Sequence, residues 1–124
     1  MSPPIDTHSA DALGPVAADR AAGAVLASAA GDALGAGYEF GPPRPPGSPV
    51  EMAGGGAFGW EPGEWTDDTQ MAFAILSVLA TGRPDVSEVE AQFRTWFAGG
   101  PADVGLQTRA VLTASGPLAV AAAD

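Results

Sequence analysis

The sequence has 124 residues, which is enough for one domain at most. Its 15 acidic and 5 basic residues give a formal net charge of −10, and the lack of lysine argues against binding to nucleic-acid grooves or anionic membranes. There is no cysteine, and the one histidine is His8. Disulfide scaffolds, zinc ribbons and thiol nucleophiles are therefore excluded, as is a Ser-His-Asp triad unless a partner supplies its histidine. Carboxylates, hydroxyls and hard cations remain available for chemistry. No secretory or membrane segment is predicted, so we expect a cytoplasmic protein.

The first predicted elements are a tail and a helix rich in small residues. Residues 1–18 mix Pro, Ser, Asp and Gly without a period, which indicates a disordered tail, and the domain is expected over 19–124. Asp19 is the expected N-cap of a helix from about Arg20 to Gly37. Small residues recur in it every four positions, and we expect this row to pack closely against another helix. The row consists of Gly23, Ala27, Gly31 and Gly35.

A loop rich in proline and glycine follows at residues 41–65. Structureless loops of this length are uncommon inside compact domains and are usually functional or disordered. Its composition is equally compatible with a flap over a ligand and with a plain linker.

The second and third helices are predicted from their periodicity. One begins at Thr66 and ends at Gly82, and the other opens with a capping-box pattern from Ser87 to Glu90 and ends at Gly99. The second helix should bury Met71, Ala72, Ile75, Leu76 and Leu79, and the third Val89, Phe93, Trp96 and Phe97.

A fourth helix is predicted from about Leu106 to Ala114, and Pro117 to Asp124 reads as the start of a fifth. Strand and hairpin patterns are absent, which predicts an all-α architecture. The sequence stops in what should be the first turns of a helix, so we expect a fragment or a domain that lacks its remaining helices. Apolar faces carrying Phe73, Leu76, Phe93 and Trp96 should then be partly exposed, with poor solubility as the consequence.

The sharpest candidate site is the segment Thr66-Asp67-Asp68. Consecutive residues at a helix start fan out by roughly 100° each, so the two carboxylates can face different cations. Ligands that are all oxygen select hard ions such as Mg²⁺, Mn²⁺ or Ca²⁺. The simpler interpretation is helix capping, with Thr66 as the N-cap and the acids in the first turn favoured by the helix dipole.

Two further segments carry acids in unusual places. Asp32 interrupts an apolar helix and needs a partner, a cation or a neighbouring helix to cap, and Glu39 follows seven residues later. The simpler interpretation of Glu39 is a solvated residue at the end of a helix. Asp103 is most simply the N-cap of the fourth helix, and Arg109 could pair with an acid.

Together these segments resemble the ADP-ribosylglycohydrolase family, which includes the dinitrogenase-reductase-activating glycohydrolases and the ADP-ribosyl-acceptor hydrolases. The resemblance covers roughly residues 19–115. It rests on RAAGAVLASAAGDALGAGYEF, GEWTDDTQMAFAILSVLATG and PADVGLQTRAVL, in that order and spacing.

The resemblance implies an orthogonal all-α bundle with a binuclear magnesium centre, in which Mn²⁺ is also possible. By position, Thr66, Asp67 and Asp68 correspond to metal ligands. Glu39 corresponds to the acidic residue near the scissile bond, a catalytic residue for acid/base work or for holding the attacking geometry. Asp103 and Gly105 fall in the segment that contacts the substrate, and Asp32 is given a supporting or structural role. The loop at 41–65 lies where relatives carry a flap.

The resemblance also has a gap. Family members are about twice this length or more, and they supply further metal ligands from an Asp-x-Asp-Thr segment that residues 104–124 do not contain. The chain therefore carries roughly half of a two-metal site, and weak affinity for divalent ions is expected.

Two functions stay open from the sequence. The first is hydrolysis of the glycosidic bond that joins ADP-ribose to an acceptor, either a protein or a small molecule. The second is a truncated remnant or binding module that keeps part of a cleft for ADP-ribose without turnover. A phosphoester hydrolase is disfavoured because phosphate recognition usually recruits several cations.

Overall fold

A computed structural model describes residues 14–123. This part of the chain forms α-helices joined by loops, with one short 3-10 turn. The elements are α1 (Pro15–Gly35), the 3-10 turn (Ala36–Tyr38), α2 (Asp67–Leu79), α3 (Val86–Ala98), α4 (Leu106–Thr113) and α5 (Leu118–Ala121). Over these residues there is no strand, only an isolated bridge between Gly55 and Trp60, so the all-α prediction is confirmed.

The first helix begins earlier than predicted. Gly14 is its N-cap and Pro15 opens it, a position where the missing proline N–H costs nothing. Asp19 therefore lies inside α1 and does not cap it, and residues 15–18 of the expected tail are helical. The rest of that tail, residues 1–13, lies outside the described residues.

The row of small residues in α1 does not pack as expected. Residues 14–28 are all exposed, and a Cβ added to Gly23, Gly31 or Gly35 would meet nothing within 4 Å among the described residues. The helix instead meets the rest of the fold through its last turns, where Ala33 is buried. The prediction of close helix packing along this row is therefore wrong for the part of the chain described.

The second helix lies against α3 and, less extensively, against α1. It buries Thr69, Ala74 and Val78 and not the face predicted from its periodicity. After its polar first turn the helix is apolar except for Ser77, so its period alone could not select a face. Of the predicted face, Met71 and Leu76 are half-buried, while Ala72, Ile75 and Leu79 are exposed.

The third helix starts with a different cap from the one predicted. Asp85, held extended after Pro84, accepts hydrogen bonds from the backbone N–H and the hydroxyl of Ser87, at 2.8 and 2.7 Å. Glu90, the expected capping-box partner, instead accepts from Arg94 and from the backbone N–H of Leu118 at the start of α5. The predicted apolar stripe of α3 is half-buried and not fully buried.

The fourth helix also differs at its start. Its N-cap is Gly105, so Asp103 is not the cap. Arg109 does not pair with an acid but lies over the ring of Phe97, 5.6 Å from its centre. Within the described range, no helix combines the length and apolar character needed to cross a bilayer.

Candidate functional site

Asp32 joins the end of α1 to the start of α2. Its Oδ1 accepts hydrogen bonds from the backbone N–H and hydroxyl of Thr66, at 3.2 and 2.7 Å. Its Oδ2 accepts from the backbone N–H groups of Thr66 and Thr69, both at 3.1 Å, and from the hydroxyl of Thr69 at 2.5 Å. Asp32 therefore caps α2 from a different helix, because it satisfies N–H groups that have no partner within α2.

The protonation of Asp32 follows from these bonds. Burial pulls its pKa upward, but the hydrogen bonds from Thr69 and Thr66 outweigh that effect and hold the pKa below its ordinary value. The carboxylate is therefore ionised at neutral pH and acts only as an acceptor.

Thr66 occupies the N-cap position of α2, but its side chain makes no capping bond to that helix. It is almost completely buried, at 1% exposure. Asp67 is half-buried and Asp68 is exposed, and within residues 14–123 neither carboxylate has a hydrogen-bond or ion-pair partner. The capping expected of the Thr66 side chain is thus performed by Asp32.

The acids from three parts of the chain lie close enough to repel one another. Burial raises the pKa of Glu39, and the negative charges of Asp103, Asp32, Asp68 and Asp67 raise it further, in that order. Burial likewise raises the pKa of Asp103, with Asp67 and Asp68 adding to the effect against a hydrogen bond from the backbone N–H of Val104. The fold thus gathers five carboxylates that are widely separated in the sequence.

The acidic cluster consists of Asp32, Glu39, Asp67, Asp68 and Asp103, and within residues 14–123 none of these acids forms an ion pair. Over the described range, the one ion pair joins Arg94 to Glu90 on α3, at 3.0 Å. Assembling like charges costs free energy unless a counter-ion compensates them.

The donors at the start of α2 fit a hard divalent cation. They are one hydroxyl and two carboxylates, a set that is all oxygen and suits Mg²⁺ or Mn²⁺. Among residues 14–123, however, no group of three or more His, Cys, Asp or Glu side chains has the geometry of a metal site. An ion held by Thr66, Asp67 and Asp68 would need its remaining ligands from water, substrate or other protein groups.

Glu39 is positioned by the contact between the 3-10 turn and the following loop. A Cβ on Gly37 would overlap the carbonyl oxygen of Gly54, so the two backbones touch where no side chain fits. The hydroxyl of Tyr38 donates to the carbonyl of Glu51 at 2.7 Å and accepts from its N–H at 3.1 Å. The loop at 41–65 is thus anchored directly beside Glu39.

Sequence reasoning missed two residues of this arrangement, Thr69 and Tyr38. Thr69 could have been predicted from the sequence, because a threonine three residues after the N-cap can donate from both its N–H and its hydroxyl to an acid on another element. Tyr38 carried no such signal, because its partner Glu51 lies in the irregular loop. Gly105 is the N-cap of α4, and its carbonyl accepts a hydrogen bond from the N–H of Arg109; over residues 14–123 no hydrogen bond joins it to the acidic cluster.

Comparison with known proteins places the chain among its relatives. A family model described as ADP-ribosylglycohydrolase matches residues 14–123. The chain is 42% identical over 97 residues to the ADP-ribosyl-[dinitrogen reductase] glycohydrolase of Rhodospirillum rubrum, covering 74% of this chain and 33% of that protein. It is 41% identical over 83 residues to the ADP-ribosylarginine hydrolase Tri1 of Serratia proteamaculans, covering 66% of this chain and 22% of that protein.

A solved structure is similar as well. A chain of an ADP-ribosylglycohydrolase-related protein complex superposes with a TM-score of 0.60 at 38% identity, covering 76% of this chain and 31% of that one. The chain therefore spans about a third or less of the length of the proteins it matches. Because the family match extends over all the described residues, the chain belongs to the ADP-ribosylglycohydrolase family.

Proposed function

We propose that this chain forms the N-terminal part of a metal-dependent hydrolase that removes ADP-ribose from a modified acceptor. The observation that carries the proposal is the acidic cluster, in which Glu39 and Asp103 lie near Asp67 and Asp68 and no member forms an ion pair within the described residues. Relatives named for ADP-ribosylarginine and for ADP-ribosyl-dinitrogen reductase support an ADP-ribosylated protein as substrate. A small ADP-ribose-containing molecule is an alternative substrate of the same chemistry.

Thr66, Asp67 and Asp68 would hold Mg²⁺, or Mn²⁺ in its place, as part of a two-ion site. When bound, the metal would supply electrostatic stabilisation and orient the ribose hydroxyls and a water.

The other acids have separate roles in this proposal. The raised pKa of Glu39 suits a carboxyl group that holds or accepts a proton beside the scissile bond. Asp103 and Gly105 would contact the substrate. Negative charge around the ribose would favour an oxocarbenium-like transition state.

The experiment is an ADP-ribose release assay on the full chain with a peptide that carries ADP-ribosylarginine. We expect release to require Mg²⁺ and to fall by about 100-fold or more in Asp67→Asn, since a bound metal supplies several kcal/mol of transition-state stabilisation. Glu88→Gln, an exposed acid on α3, is the control and should retain wild-type activity. Release that is unchanged by chelation and by Asp67→Asn would refute the metal role.

A second candidate is an ADP-ribose-binding module without turnover. This candidate is favoured because, over residues 14–123, no three His, Cys, Asp or Glu side chains are grouped as a metal site would require. Calorimetry with ADP-ribose and Mg²⁺ separates the two candidates. Heat of binding without release from the peptide would favour the module, whereas release would favour the hydrolase.

A further inference from the structure

We infer that Asp32 is a positioning residue for the proposed cation, because it accepts the hydrogen bond that the hydroxyl of Thr66 donates and so leaves the lone pairs of that oxygen available to the ion. The inference rests on the proposed function and specifies how one of its ligands is prepared.

The direction of the hydrogen bond between Thr66 and Asp32 follows from their chemistry. A threonine hydroxyl has one proton and two lone pairs, while an ionised carboxylate can only accept. The separation of 2.7 Å between Thr66 Oγ1 and Asp32 Oδ1 is that of a short, charge-assisted hydrogen bond. The proton of Thr66 therefore points at Asp32.

Within the described part of the chain, the hydroxyl oxygen of Thr66 accepts no hydrogen bond. In most helices an N-cap threonine accepts a hydrogen bond from the first turn, but Thr66 makes no such bond to α2. The residue is 1% exposed, and within residues 14–123 no group donates a hydrogen bond to its hydroxyl oxygen. A hydroxyl group that binds a cation must present an oxygen lone pair to the ion, with its O–H directed at another acceptor.

Asp32 is not placed as a ligand itself. Its two oxygens already accept hydrogen bonds from the N–H groups and hydroxyls of Thr66 and Thr69, at 2.5 to 3.2 Å. Thr69 is buried in the first turn of α2, and its hydroxyl donates to Oδ2 of the Asp32 carboxylate. Asp32 thus acts on the ion through Thr66.

The test is the affinity of the full chain for Mn²⁺ alone, measured by electron paramagnetic resonance up to millimolar concentrations. Asp32→Asn should weaken binding by about 10- to 100-fold, the usual effect of removing a partner that orients a metal ligand. Asp85→Asn is the matched control, since Asp85 caps α3 through the N–H and hydroxyl of Ser87. The control should lower the melting temperature without changing the Mn²⁺ affinity.

A double-mutant cycle shows whether Asp32 works through Thr66. Thr66→Val removes the hydroxyl with little change in shape, and adding Asp32→Asn to it should weaken Mn²⁺ binding no further. Losses that multiply in the double variant would overturn the inference.

The remaining outcomes separate a failure of the proposed metal role from a failure of the inference about Asp32. If wild type does not bind Mn²⁺, the proposed metal role fails and this inference fails with it. If wild type binds and folded Asp32→Asn binds equally well, only this inference is overturned. If Asp32→Asn does not fold by circular dichroism, Thr69→Val serves instead, and a folded Thr69→Val with wild-type affinity would overturn the inference.

Discussion

The fold opposes the ionisation of Glu39. This residue lies between the 3-10 turn and the anchored loop, where burial and four neighbouring carboxylates raise its pKa. Because the folded state holds this proton more tightly than the unfolded state, stability from the protonated form is present below the ordinary pKa of 4.5. That contribution is lost as the pH rises through the raised pKa.

We therefore expect Glu39→Gln to raise the melting temperature at pH 7 by up to a few degrees, with little effect near pH 4. The pH dependence from Asp32 has the opposite sign. Because its pKa is lowered in the folded state, its contribution to stability is present at pH values above its ordinary pKa and is lost as the pH falls through the lowered pKa. Scanning calorimetry at the two pH values checks the prediction. Glu61→Gln, an exposed loop acid, is the control, and an identical effect of Glu39→Gln at both pH values would contradict it.

Individual residues also show how far the sequence reaches toward the site. Thr66, Asp67 and Asp68 could be selected as candidate ligands because they are adjacent at a helix start, a local pattern. The partners of Asp32 lie 34 and 37 residues further along the chain, and no local pattern joins them. The assignment of these residues to a metal site stays a prediction.

Among the elements, the 3-10 turn controls where Glu39 lies. We expect Gly37→Ala to push this turn away from Gly54, lowering the free energy of unfolding by about 1–3 kcal/mol and weakening any activity that depends on Glu39. Urea denaturation and the ADP-ribose release assay measure the two effects.

The control for Gly37→Ala is Gly23→Ala in α1, where an added Cβ meets only open space in the range described. Alanine favours a helix interior over glycine, so this variant should be more stable by about 0.5–1 kcal/mol. A Gly37→Ala variant as stable as wild type would show that the contact with the loop does not hold the turn.

The positions of the helices could be predicted from the sequence, but the faces that they bury could not. The predicted helices correspond to α1 to α5, with starts shifted at α1 because Pro15 opens it and at α3 because Asp85 is the stronger cap. The buried face of α2 was wrong because several apolar faces compete in that helix and only its neighbours select one.

For the molecule as a whole, the most consequential feature is an exposed apolar groove between α1 and α2. Leu26 is 69% exposed and Phe73 63% exposed, and both line this groove with Val25, Trp65, Ile75 and Leu76. The partial exposure predicted for Phe73, Leu76, Phe93 and Trp96 is confirmed, since Phe73 is exposed and the other three are half-buried. Contiguous apolar surface of this kind promotes association.

We expect the chain alone to self-associate and to bind the dye ANS. The double variant Leu26→Gln and Phe73→Gln should shift it toward monomer in light scattering coupled to size exclusion. Val16→Gln, an exposed apolar position at the start of α1 outside the groove, should leave association unchanged. A monodisperse wild-type monomer with a sharp melt and no ANS binding would contradict the prediction.

The sequence by itself determined the helices and their all-α class, because propensity, capping and periodicity act over a few residues. It also marked the oxygen-rich start of α2 and the family to which the chain belongs. Only the tertiary structure decided that Asp32 caps α2, that Glu39 and Asp103 join the acids of α2, and which helix faces stay exposed. These features depend on hydrogen bonds and Coulomb interactions between segments that are tens of residues apart in the sequence. Only the packing of the chain sets the distances between those segments in space.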